Sequence, residues 1–178
     1  MGMVGIGGGE VKIDFTPWLC RWPIGRGQAQ GFPDRFWGYW RKTYAKDPML
    51  HLFCGSSMDG EMSIDIQGRG ANVKMDVFQA DIPKNYFASA FADPPYTEEF
   101  AKEWGCEYPR PSSILKIMCD SVIPGGVVGI LHLQVLRPTP GLEKVAWHPV
   151  FCGTTKHIRC LSVFKKKECL MLPLEVVK

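Results

Sequence analysis

The chain has 178 residues, 46% of them hydrophobic, and a formal net charge of +3. One domain with a sizeable core is the expectation, and the weak positive charge permits an anionic partner without demanding one. No apolar run is long enough to span a bilayer, and the start MGMVGIGGGEVK carries neither a secretory pattern nor a good myristoylation pattern.

Seven cysteines (Cys20, Cys54, Cys106, Cys119, Cys152, Cys160 and Cys169) form no CxxC pair. The histidines, His51, His132, His148 and His157, give no HxxxH pattern, so no metal site is expected. Reduced, mostly buried thiols in a cytoplasmic protein are the expectation.

In chain order, a Gly-rich start is followed by an aromatic and basic stretch over residues 17–44. From Pro33 a helix is expected, with Phe36, Trp37, Trp40 and Tyr44 on one face, packed on a sheet. Trp18 to Arg26 has no periodicity. It suits packing and it suits nucleic acid, with bases on rings and phosphates on guanidinium groups. Residues 1–48 are therefore expected to form an N-terminal extension that packs on the core. Short apolar runs follow: MLHLFC (49–54) up to Gly55, MSIDI (62–66) up to Gly68, VKMDVFQA (73–80) up to Asp81-Ile82-Pro83, and YFASAFA (86–92) up to Asp93-Pro94-Pro95-Tyr96. Each is a predicted strand.

TEEFAKEW (97–104) is a predicted helix, with Thr97 as its cap and two glutamates in its first turn. PSSILKIMCDSVI (111–123) is a second, begun by Pro111 or the serines and stopped by Pro124-Gly125-Gly126. VVGILHLQVL (127–136) is a buried strand. Residues 137–149 are expected to be a loop, and 150–166 a hairpin around Gly-Thr-Thr. The elements predict an α/β fold: a mostly parallel twisted sheet with a C-terminal antiparallel hairpin strand and helices on both faces.

In such sheets ligands bind at the carboxyl ends of the strands. Four predicted strand ends are distinctive: Phe53-Cys54-Gly55-Ser56, Asp65, Asp81-Ile82 and Asp93-Pro94-Pro95-Tyr96. A Gly turn followed by an acid at the next strand end is a way to hold a nucleoside-containing cofactor, because the acid accepts from ribose hydroxyls. The paired prolines rule out a helix interior or a central strand and fix the chain rigidly.

HLFCGSS, SIDI, DVFQADIP and FADPPY, in that order, resemble the Rossmann-like class I S-adenosylmethionine-dependent methyltransferases that modify amino groups. The wording and close spacing are similar to small DNA N6-adenine methyltransferase-like proteins common in bacteriophages. The resemblance spans residues 49–165 and makes 49–178 a catalytic domain. It implies that Phe53, Cys54, Gly55 and Ser56 bind the methionyl side of S-adenosylmethionine, that Asp65 holds the ribose, and that Asp81 and Ile82 face the adenine. It also implies that Asp93, Pro94, Pro95 and Tyr96 form the target-amine site. The short gap from Gly55 to Asp65 departs from the commoner pattern, in which a full helix separates them. The partner implied is nucleic acid, DNA first, with an RNA base, cytosine N4 or a protein glutamine amide as alternatives; a non-catalytic methyltransferase-like module that binds nucleic acid or a protein partner is the alternative of a different class. No recognition insertion interrupts the motifs. Recognition is therefore expected from residues 11–48, 104–113 or 137–149, or from a homodimer or accessory subunit; Lys165, Lys166 and Lys167 could touch phosphate, but such a run usually forms a solvated tail.

Overall fold

The structure is a computed structural model that describes residues 12–13, 18–19, 34–68, 70–152 and 157–168. The Gly-rich start, most of the Trp18–Arg26 stretch and the Gly-Thr-Thr turn lie outside the described residues. The strands are β1 (Lys12–Ile13), β2 (Trp18–Leu19), β3 (Met49–Leu52), β4 (Met62–Asp65), β5 (Val73–Lys74), β6 (Phe87–Ala92), β7 (Val122–His132), β8 (Leu142–Cys152) and β9 (His157–Lys166). The helices are α1 (Asp34–Thr43), α2 (Glu98–Glu103) and α3 (Pro111–Ser121).

Among the described residues all nine strands join one sheet, in the order β1-β8-β9-β7-β6-β3-β4-β5, with β2 also on β8. The neighbours from β7 to β5 pair in parallel, and β9 runs antiparallel between β7 and β8. The central strand β3 is buried at every position, as a strand covered on both faces must be.

Each face carries its own core. On one, α3 sets Ile114, Leu115, Met118 and Cys119 at helical spacing against Leu50, Leu52, Ala90, Val128 and Ile130. On the other, α1 buries Phe36 and Trp40 against Met49, Phe91, Leu131, Leu161 and Val163. The expected aromatic helix thus serves packing. Its Trp40 is fully buried and lies against Gly129 of β7, where an added Cβ would stand 2.4 Å from the indole ring. Gly129→Ala is accordingly expected to cost roughly 1–3 kcal/mol through overpacking, a loss readable from urea unfolding.

Three expectations are corrected. Residues 73–80 do not form one strand: only Val73–Lys74 pairs, because Asp76 folds the chain into a turn by accepting from the Phe78 N–H at 2.9 Å. A very short edge strand offers little to a stray partner chain. Pro124-Gly125-Gly126 does not follow the second helix as a stop. The strand begins at Val122, and the register with β6 skips from Val122 to Val127, so these residues form a bulge. Residues 142–149 are not loop but the first part of β8, where Leu142, Ala146 and His148 turn inward; the loop ends at Gly141, whose φ is +90°.

The parallel strands β3, β4 and β5 are joined without helices, through residues 53–61 and 66–72. A parallel crossover ordinarily takes a dozen residues or more and a helix. Here side chains hold the connections. Ser63 N–H donates to Asn72 Oδ1 at 2.9 Å, Asn72 N–H returns a bond to Ser63 Oγ at 3.0 Å, and Asn72 Nδ2 donates to the Glu61 carbonyl at 2.9 Å.

Candidate active site

The chain order reverses between β3 and β6: β4 and β5 lie to one side of β3, β6 and β7 to the other. This is a topological switch point, where a crevice opens outside the carboxyl ends of the strands. Leu52 and Ala92 are register partners, so Phe53 and Asp93 leave the sheet side by side.

The turn after β3 has two left-handed residues, Phe53 at φ +54° and Gly55 at φ +58°. Glycine tolerates this conformation; a bulky side chain does so only under constraint, and such strain concentrates at ligand sites. Phe53 is held by packing its ring on the core. Gly55 N–H donates to Asp65 Oδ2 at 3.0 Å, while Asp65 Oδ1 accepts from the N–H groups of Gln67 at 2.8 Å and Gly68 at 3.2 Å. Gly70 N–H then donates to the Gly55 carbonyl at 2.9 Å. A Cβ on Gly70 would stand 2.5 Å from the Ser56 backbone. The turns after β3 and β4 are thus clasped together, with Asp65 as the clasp. A carboxylate has about four acceptor positions; among the described residues three are used, which leaves one on Oδ2.

Cys54 is buried in the core, and burial, reinforced by the charge of Asp65, pushes its thiol up to about 12. Its side chain is an inert apolar group, so only its backbone can serve the turn. Ser56 is exposed. Asp81 is exposed in the connection between β5 and β6, rather than at the end of a long strand, and Ile82 beside it packs on the core.

At the end of β6, Pro94 and Pro95 are buried and lead to Tyr96. The phenol of Tyr96 donates to Asp93 Oδ1. Arg159 of β9 approaches the other carboxylate oxygen, with Nη1 3.8 Å from Oδ2, and its guanidinium carbon lies 4.9 Å from the centre of the Tyr96 ring. His132, the last residue of β7, meets Tyr96 in an edge-to-face contact at 5.6 Å and 87°. Burial pushes the Asp93 carboxyl above the usual range, and the Arg159 charge and the Tyr96 hydroxyl pull it partly back. Burial lowers His132, favouring a neutral ring. Its Nδ1 accepts from the Gln134 N–H at 3.2 Å, which puts the ring proton on Nε2.

Arg159 and His132 were not singled out by the sequence. Both follow from the sheet: an antiparallel strand brings its first residues to the edge where the parallel strands finish, and Cys160 pairs with His132 there. The same register carries Lys165 to Val127, at the opposite edge. Lys165 pairs with Glu168 at 3.3 Å, and Lys166 donates to Asn85 at 2.7 Å and the Val122 carbonyl at 2.9 Å. These lysines are therefore remote from Asp93. Thr97 caps α2 as expected, accepting from the Phe100 N–H at 3.3 Å, and so fixes the chain just past Tyr96. Among the described residues no helix is long and apolar enough to cross a membrane.

No protein-family profile and no curated protein matches the chain. Solved structures do. The N-methyltransferase NodS from Bradyrhizobium japonicum, in complex with S-adenosyl-L-homocysteine, aligns with a TM-score of 0.52 at 12% identity, over 76% of this chain and 87% of NodS. The [4+2]-cyclase SpnF aligns with a TM-score of 0.51 at 12% identity, over 76% of this chain and 81% of SpnF. TrmN from Thermus thermophilus aligns with a TM-score of 0.51 at 16% identity, over 73% of this chain and 47% of TrmN. At these identities the likeness is one of fold, and the fold is the Rossmann-like sheet of the class I methyltransferases.

Proposed function

We propose that the protein is an S-adenosylmethionine-dependent methyltransferase whose acceptor is an exocyclic amine of a nucleobase, with N6 of adenine in DNA as the acceptor put forward. One observation carries this reading: a carboxylate and an aromatic ring, bonded to each other through Asp93 and Tyr96, stand beside the clasped Phe53–Ser56 turn at the switch point. The fold alone would not carry it, since the same sheet serves a cyclase in SpnF.

The cofactor side has the features that S-adenosylmethionine would need. The left-handed Gly55 turn leaves backbone open to close approach, Asp65 keeps one acceptor position for a ribose hydroxyl, and Asp81 stands exposed for the adenine amine. When bound, the cofactor supplies an electrophilic methyl on a sulfonium, whose C–S bond breaks as the N–C bond forms.

The chain's own residues must prepare the amine. Its lone pair is delocalised into the base, so it is a weak nucleophile. Asp93 and the Pro94 carbonyl each accept one of its N–H bonds, which turns the lone pair out of the ring plane. Prolines fix both acceptors, and orientation is where much of the gain lies. The nitrogen becomes positively charged as it gains the methyl, and the Asp93 carboxylate stabilises that charge and takes the proton that leaves. Tyr96 offers a face to a base swung out of its helix.

Titration calorimetry with S-adenosylmethionine tests the reading: binding is expected, and none at millimolar cofactor would overturn it in favour of a binding module. Asp65→Ala removes the acceptor for three backbone N–H groups. The variant is expected to weaken cofactor binding about tenfold or more, as the unclasped turn loses shape.

A further inference from the structure

Arg159 stands where the acceptor should go. Its guanidinium is a planar, amino-bearing group. It lies over the Tyr96 ring at 4.9 Å and beside Asp93 Oδ2 at 3.8 Å, the two surfaces that the proposed function gives to the target base and its amine. We propose that Arg159 holds the acceptor's place in the pocket and is exchanged for it, leaving Asp93 and Tyr96 when a planar amine enters. The inference rests on the function proposed above and adds a residue that sets how readily the acceptor binds.

Electrostatics requires the exchange. Methyl transfer puts positive charge on the amine nitrogen beside Asp93. An arginine is always charged, so a guanidinium left at the same carboxylate would oppose that charge and compete for the same lone pairs. Before the acceptor arrives the opposite holds. Asp93 is a shielded carboxylate, faced by Arg159 from β9 and by the Tyr96 hydroxyl from its own loop, with neutral His132 of β7 packed against Tyr96. A counter-charge there favours the ionised carboxylate against the effect of burial and lies over the Tyr96 ring.

The geometry also allows Arg159 to leave. The Arg159 side chain is 21% exposed and reaches the pocket on a long flexible stem, which gives its guanidinium a route out by rotation about side-chain bonds. At 3.8 Å the contact with Asp93 is an ion pair rather than a tight two-pronged bond, and it can be given up.

The test compares wild type with Arg159→Ala in methyl transfer to an adenine-containing single-stranded DNA. It is run at alkaline pH, which favours the ionised Asp93 carboxylate. The acceptor KM is expected to fall about 3- to 10-fold, the worth of a lost cation–π contact and a partly exposed ion pair. The S-adenosylmethionine Kd, measured by calorimetry, is expected to stay the same. Guanidinium chloride at low millimolar concentration should inhibit Arg159→Ala competitively with the DNA and leave wild type unaffected, because only the variant has the vacant place. Toward acid pH, kcat/KM of the variant should fall off earlier than that of wild type. Arg159→Gln carries the same test should Arg159→Ala fail to fold. Wild-type turnover with an unchanged or raised KM in the variant overturns this inference alone. No turnover by wild type overturns the function reading, and this inference with it.

Discussion

Asp93→Ala is expected to lower methyl transfer about 10³-fold while leaving S-adenosylmethionine affinity within about twofold. The first effect follows from the role proposed for the carboxylate, which is to stabilise a nitrogen that acquires charge in a shielded pocket. The second follows from position. Asp93 follows β6 and is bonded to Tyr96 and paired with Arg159, whereas the turn proposed for the cofactor is clasped by Asp65 on the other side of β3. Calorimetry separates the two effects. A pH series adds a second check with a definite sign. Transfer needs the ionised carboxylate, and burial raises the pKa of Asp93. The rate should therefore be full above that raised pKa and be lost as pH falls through it, at a higher pH than the ~4 of an ordinary aspartate. Activity of Asp93→Ala equal to wild type would contradict the role given to this residue.

Trp40→Ala is expected to cost about 3–5 kcal/mol of folding free energy. Trp40 is fully buried, and its ring meets Phe91 at 5.1 Å and Tyr44 at 5.7 Å and covers Gly129. Phe91 is the core residue two places before Asp93, so the same indole supports the strand that leads to the proposed target-amine site. Denaturant unfolding should give a lower midpoint with a near-unchanged slope. A loss below about 1 kcal/mol would mean that the site collapses to fill the cavity.

The sequence spoke most clearly where local chemistry had no alternative. Two prolines after an apolar run had to end a strand, and they do, at β6. Phe36 and Trp40, four apart, had to share a helix face, and they share a core. It spoke less clearly where partners far along the chain decide the outcome. VKMDVFQA has the composition of a strand, yet the Asp76 turn diverts it after Lys74. RPTPGLEKVAWH has loop residues at its start, yet pairing with β9 makes a strand from Leu142 on.

The site divides in the same way. Gly55, Asp65, Asp93 and Tyr96 lie at strand ends that could be counted along the chain. The bond from Gly55 to Asp65 shows how a crossover too short for a helix is held. Arg159 is 66 residues beyond Asp93 and has no motif around it; only the antiparallel register of β9 brings it to the pocket. Cys54 was expected at the cofactor, and its burial leaves only its backbone for that task.

The role proposed for Asp93, Pro94 and Tyr96 is to present a nucleobase amine to a methyl donor. The most direct measurement incubates the full chain with methyl-labelled S-adenosylmethionine and DNA, digests the DNA and identifies the labelled nucleoside. N6-methyl-2′-deoxyadenosine is expected from wild type and none from Asp93→Ala. Label on a ring carbon, or equal label with wild type and Asp93→Ala, would contradict that role.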